Sequence, residues 1–236
     1  MRTRFRFISA AVVGLTCVVW SMPLAAQQIN TGSSGEDYGW HPFGAPNTAT
    51  YGQTFTAPGG TSELNQFTLQ LRGSGDGLGN TIGFYGFVMA WSGDRAAGPV
   101  LYQSSLQHGT NSAAPDTYTF NTGGISVAPG SIYVAFLNAS EYIAANPDAE
   151  AYDLMPSGWN GYGDSYSGGD FVFYNNGGDF GALTSTPWDY TGADGFGTDV
   201  AFTATFDATA TPEPASLILL GTGLFALVPA IRRKRT

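Results

Sequence analysis

Gln66-Phe67-Thr68-Leu69-Gln70-Leu71-Arg72 alternates polar and apolar side chains without a break. Successive side chains of a strand point to opposite faces, so Phe67, Leu69 and Leu71 would share one buried face. The same period recurs at Val200, Phe202, Ala204 and Phe206, and again at Tyr118 and Phe120 between Thr117, Thr119 and Asn121. Residues 84–91 and 132–137 are instead continuous apolar runs, the pattern of central strands covered on both faces. Ile125 and Val127 lead into a Pro129-Gly130 turn, and residues 171–174 run into Asn175-Asn176-Gly177-Gly178, a strand entering a hairpin. Residues 51–56 and 101–106 complete eight or nine strands, separated by Gly, Pro, Asn and Asp. No amphipathic helix of useful length interrupts them. The pattern predicts an all-β fold, an antiparallel β-sandwich or jelly-roll-like body, with a closed barrel as the alternative. Some 180 residues suffice for one core, so residues 27–208 read as a single domain.

The charge of that body is uneven with its ends. Of nine Lys and Arg in the chain, only Arg72 and Arg95 lie within residues 27–208, against seventeen of the eighteen acids. The resulting −15 cannot neutralise a phosphate backbone, which excludes nucleic acid as the body's partner. The one cysteine, Cys17, precedes the body, so disulfides, thiolate metal sites and a cysteine nucleophile are excluded from it.

Both ends read as addresses. Arg2, Arg4 and Arg6 precede an apolar run over residues 8–20, and Ser21-Met22-Pro23-Leu24-Ala25-Ala26 supplies a helix break and small residues. Residues 1–26 therefore read as a signal peptide, handled by the Sec machinery and signal peptidase and cut after Ala26. Residues 209–236 form a second segment: Thr211-Pro212-Glu213-Pro214, an apolar run to Ile231, then Arg232-Arg233-Lys234-Arg235. From Ala215 to Ile231 a helix would be roughly 25 Å long, a short transmembrane helix for a hydrocarbon core of about 30 Å. The basic cluster would stay cytoplasmic and anchor the tail, leaving the body outside.

Pro212-Glu213-Pro214, the short span and the basic tail resemble the PEP-CTERM sorting signal of exopolysaccharide-producing Gram-negative bacteria, a segment also labelled the ice-binding protein C-terminal domain. The resemblance covers about residues 211–236 and implies recognition by an exosortase, with processing near the Pro-Glu-Pro. It implies an exported protein held transiently at the inner membrane, then released to the cell surface or extracellular matrix in association with exopolysaccharide. Residues 51–58 and 128–133 also resemble ectodomains of other proteins that carry this signal.

Chemistry in the body is sparse. His41 and His108 fit no zinc pattern, and no Gly-x-Ser-x-Gly elbow occurs. The Gly-Gly-Asp-Phe repeats at residues 168–171 and 177–180 read as a turn used twice. Paired-acid glycosidase chemistry needs two carboxyl groups about 5–10 Å apart in a cleft, which spacing alone does not reveal. No catalytic residue is assigned. Asp76, Asn80, Asp148, Asp153, Asp164, Asp170 and Asp179 offer oxygen ligands for a structural Ca2+. The aromatic rings among Gly, Asn and Ser in residues 156–190 suit sugar, with Trp159, Tyr162, Tyr166 and Trp188 as platforms; the competing reading has them cap the core. A surface or matrix protein with a glycan-binding body is the leading expectation. A purely structural matrix protein and a polysaccharide hydrolase or lyase are the alternatives.

Overall fold

The computed structural model describes residues 26–32, 40–44, 48–73, 82–110, 112, 114–145, 152–154, 164–190 and 199–208. Residues 25–209 form one compact unit. The alternating stretch at residues 66–72 lies in the longest of the described strands, β4 (Thr61–Arg72). Its partners along most of its length are β13 (Phe202–Ala208) and β8 (Asp116–Ser126), and its end at Leu71–Arg72 meets β10 (Tyr152–Leu154). β1 (Gln27–Asn30) on β13 and β2 (Trp40–Phe43) on β10 complete a six-stranded sheet.

The second sheet has seven strands. β12 (Asp189–Tyr190), β11 (Phe171–Tyr174), β3 (Thr50–Thr56), β9 (Ile132–Asn138), β5 (Gly83–Ser92) and β6 (Arg95–Gln103) follow one another, and β7 (Gln107–His108) pairs with β5. Every ladder is antiparallel. The chain passes repeatedly from one sheet to the other, and the two sheets face each other as a sandwich. Helix is confined to α1 (Ser140–Ala145) and a 3-10 turn, Gly181–Thr184, among the described residues. The expected strand at residues 101–106 begins earlier, at Arg95. The expected hairpin after β11 is wider than a tight turn, because β11 meets β12 only after residues 175–188.

Phenylalanine fills the space between the sheets. Phe55 of β3 stacks on Phe202 of β13 at 5.8 Å, and Phe67 of β4 meets Tyr102 of β6 edge-on at 6.1 Å. Phe84 of β5 packs edge-on against Tyr118 of β8 at 5.0 Å. Among the described residues eight phenylalanines are essentially fully buried, all but Phe136 in this inter-sheet core, each contributing about 1.5–3 kcal/mol relative to exposure. A body without cysteine depends on this burial. One glycine is required by the inter-sheet packing: a Cβ on Gly86 would lie 2.5 Å from the Phe120 ring.

Candidate functional site

β3, β9 and β5 turn alternate residues away from the six-stranded sheet, and register aligns them in rows. Gly52, Phe136 and Phe87 lie side by side, with Val172 of β11 next to Gly52. Thr54, Val134 and Met89 form the next row, and Thr56 pairs with Ile132 beyond it. The apolar rows are too large to leave in water, and residues 175–188 fold back over them as an arm. Phe87, Met89, Val134, Phe136, Val172, Leu183 and Trp188 form a second buried cluster there. This is why β5 and β9 read as continuous apolar runs.

The arm corrects one expected sugar platform. Trp188 is 4% exposed. Its indole N–H donates to the Leu183 carbonyl at 2.9 Å, and its ring meets Trp91 and Phe136 edge-on at 5.2 and 5.4 Å. Most of its surface is spent on packing, because the apolar rows beneath need a cover, and only a small remainder borders the groove beside it. Tyr166 is half-buried against the inter-sheet core. Its hydroxyl accepts the Thr56 N–H at 3.2 Å and donates to the Thr56 carbonyl at 3.2 Å. Trp159 and Tyr162 lie outside the described residues.

Beside the arm a groove remains open. Thr54 and Thr56 of β3, Trp91 near the end of β5, Asp94 in the following turn and Asp170 before β11 border it. Two adjoining cavities of about 350 and 410 Å³ share Thr54, Trp91, Gly93 and Asp170. Trp91 is half-buried, and its indole N–H donates to the Gly93 carbonyl at 3.1 Å, which fixes the ring's orientation. Ile132 stands at the rim, 44% exposed. Arg95 is held by Asp94 at 2.9 Å and by the Ser185 carbonyl at 2.9 Å, so its charge is engaged beside the groove. Asp170 as a residue is exposed, yet desolvation of its carboxyl, and then repulsion from Asp164, push its pKa above the usual carboxylate range.

The groove wall is held by a group that the sequence reading did not single out. Asp199 is fully buried. One carboxylate oxygen accepts from Gln53 Nε2 at 2.7 Å, and the other accepts the Ser165 and Tyr166 backbone N–H groups at 2.8 and 2.7 Å. Gln53 Oε1 in turn accepts the Val200 N–H at 3.0 Å. Burial pushes the Asp199 carboxyl up to about 6, against the pull of these donors. A lone Asp after a Gly-rich stretch carries no signal of such a role.

Of the expected calcium ligands, Asp164, Asp170 and Asp179 are described. Asp179 accepts the Ala182 N–H at 3.2 Å at the start of the 3-10 turn. Among the described residues no group of three His, Cys, Asp or Glu side chains could hold a metal ion. Asp76, Asn80 and Asp148 lie outside the described residues, as does the Asp153 side chain. His108 is exposed on β7, edge-on to Tyr142 at 6.1 Å.

Residues 210–235 match the PEP-CTERM protein-sorting motif, a span that includes Pro212, Glu213, Pro214 and Arg232, Arg233, Lys234 and Arg235. The motif marks the chain for export and exosortase-dependent sorting to the cell surface. The anticipated membrane span lies outside the described residues, and no helix among those described is long and apolar enough to cross a membrane. No curated protein matches the chain. Among solved structures it is similar to the cysteine protease and lectin-like domains of Cwp84, a surface layer associated protein of Clostridium difficile. That match has 11% identity and a TM-score of 0.44, over 69% of this chain and 33% of the other. It is also similar to the clostridial cysteine protease Cwp84 after propeptide cleavage, at 11% identity and a TM-score of 0.47, over 78% and 40% of the two chains. The matched region thus spans only 33% and 40% of the length of these two structures.

Proposed function

We propose that the body is a glycan-binding module of an exosortase-sorted surface or matrix protein, and that it binds sugar in the groove beside Trp91. The observation that carries this is one fixed, half-exposed indole beside the carboxylates of Asp94 and Asp170, in a groove whose wall on β3 is Thr54 and Thr56. A pyranose offers one C–H face to an aromatic ring and hydroxyls at its edge, and hydroxyl-to-carboxylate bonds are short and strong. Ligand sites in general pair an apolar wall with a few placed polar groups. Exopolysaccharide of the host is the expected partner, reached after Sec export and exosortase processing.

Affinity electrophoresis of the folded body in gels containing host exopolysaccharide tests this. Trp91→Ala and Asp170→Asn should each weaken retention by about tenfold or more, the equivalent of 1.4 kcal/mol. Retention equal to the parent in both variants would leave the purely structural matrix reading in its place.

One feature favours hydrolysis as the second reading. Asp94 and Asp170 border one groove, and the raised pKa of Asp170 is what a general acid requires. Release of new reducing ends from the polymer, lost in Asp170→Asn, would establish it; an unchanged polymer after prolonged incubation would discard it.

A further inference from the structure

At the opposite end of the arm lies a separate cavity of about 330 Å³, at the small end of ligand-sized pockets. Tyr85 of β5 and Phe180 of the arm supply two partly exposed rings, and Phe87 of β5, 4% exposed and stacked on Phe136, closes the space beneath them. Phe87 and Phe180 have centroids 4.9 Å apart, and Tyr85 and Phe87 6.2 Å. Glu141, exposed in the first turn of α1, adds a carboxylate to the lining, close enough to raise the pKa of the Tyr85 hydroxyl after its desolvation.

The amides on the floor of this cavity are already committed. The Asn138 amide donates to Thr50 Oγ1 at 2.7 Å and to Ser140 Oγ at 3.0 Å. The Asn176 amide donates to the same Ser140 Oγ at 2.8 Å, and the Thr50 hydroxyl donates to Asn176 Oδ1 at 2.8 Å. Both Asn138 amide hydrogens are therefore committed inside the protein. The lining contains a carboxylate and aromatic faces, and it contains no Lys, Arg or His. Ring faces carry a negative quadrupole, which attracts a cation as the carboxylate does. The −15 charge of the body adds a field of the same sign.

We propose that this cavity takes the protonated amino group of an amino sugar, so that the body selects glycans with free amines over N-acetylated or uronic-acid polymers. This rests on the reading of the body as glycan-binding and assigns its charge preference to a second place on the same sheet face.

The test is calorimetric titration at pH 6 with a glucosamine hexamer, an N-acetylglucosamine hexamer and a uronate hexamer. The parent should prefer the glucosamine hexamer by about tenfold, within the range of a desolvated cation on aromatic rings. Glu141→Gln should remove most of that preference. Val100→Lys, at a lining position that is 39% exposed, should do so by placing a cation at the rim. Asp207→Asn makes the same charge change on the exposed face of β13 and should keep the preference. Equal losses in Glu141→Gln and Asp207→Asn would reduce the effect to bulk charge and overturn the proposal. Should Val100→Lys fail to fold, Glu141→Gln against Asp207→Asn still decides. Trp91→Ala separates the two sites. An amine preference that survives Trp91→Ala and depends on Glu141 supports this cavity even if the groove binds nothing. A preference lost in Trp91→Ala but kept in Glu141→Gln places the amine elsewhere and overturns it.

Discussion

Gly169 sits where a side chain has no room. A Cβ there would lie 1.8 Å from the Thr54 carbonyl oxygen, 2.4 Å from its carbon and 3.0 Å from Phe55 Cα. These are backbone atoms of β3, a strand paired with β9 on one side and β11 on the other. They cannot yield, so in Gly169→Ala the segment 164–170 must lift by more than an ångström to regain ordinary contact. Six bonds tie that segment to Thr54 and Thr56, and lifting it breaks these four. The Thr54 N–H donates to the Asp170 carbonyl at 2.9 Å, and the Asp170 N–H donates to Thr54 Oγ1 at 2.8 Å. The Thr56 hydroxyl donates to the Gly168 carbonyl at 2.9 Å, and the Thr56 N–H to the Tyr166 hydroxyl at 3.2 Å. At about 0.5–1.5 kcal/mol each, less the 0.4–1 kcal/mol that alanine contributes by stiffening the unfolded chain, the net loss should be about 1–5.5 kcal/mol. For a body of this size that lowers Tm by roughly 2–20 °C. Urea and thermal unfolding of Gly169→Ala beside Gly59→Ala measure it. A Cβ on Gly59 meets nothing within 4 Å, so that control should stay near the parent. A Gly169→Ala protein within 0.5 kcal/mol of the parent would show that residues 164–170 are not seated on β3, and the groove wall built from them would fall too.

Trp188→Ala should cost about 3–5 kcal/mol, the usual loss for a buried aromatic, in urea unfolding; a near-neutral substitution would return Trp188 to the surface. Asp199 titrates near 6 when folded against 3.8 unfolded. Its contribution to stability is therefore full below about pH 4 and is lost as pH rises through 6. The loss amounts to about 3 kcal/mol, seen as a declining difference between parent and Asp199→Asn over that window; a constant difference would refute the assignment. Calcium is expected to raise Tm relative to chelator, through relief of self-repulsion in the acidic body, and superimposable melts would dismiss it. Intact-mass analysis of protein secreted by the native host should show an N-terminus near Gln27 and loss of residues beyond about Ala215; retention of residues 217–236 outside the cell would contradict processing.

The sandwich was legible because residues facing its interior obey a period of two. Phe67, Leu69 and Leu71 of β4 and Phe202, Ala204 and Phe206 of β13 are all buried. Residues 84–91 and 132–137 announced burial on both faces, but not what covers the second face. The cover is a segment whose own pattern is irregular, since Leu183 inserts singly from the 3-10 turn and Trp188 singly from the stretch before β12. The same irregularity made Trp188 look like a surface ring. Trp91 was hidden for the opposite reason: it ends an apolar run, where a half-exposed indole and a core residue have the same signature. β1, β2 and β10 are only three or four residues long, too short for any period to show, and their pairing is set by tertiary contacts. Asp199 reads as a turn residue, and only its three donors distinguish it.

The ladder between β1 and β13 sets an order of assembly. Gln27 pairs with Phe206 and Asn30 with Thr203, so the first strand of the body waits for the last. A chain delivered N-terminus first therefore completes its six-stranded sheet only after nearly all of the body has emerged, and closing so long a loop slows folding. The cover over Phe87 and Phe136 also arrives late, with residues 175–188. Fragments that stop before residue 175 would carry a bare aromatic face and an unpaired edge together. Export of this chain thus favours delivery in one uninterrupted pass, with stalled or clipped intermediates the species most prone to aggregate.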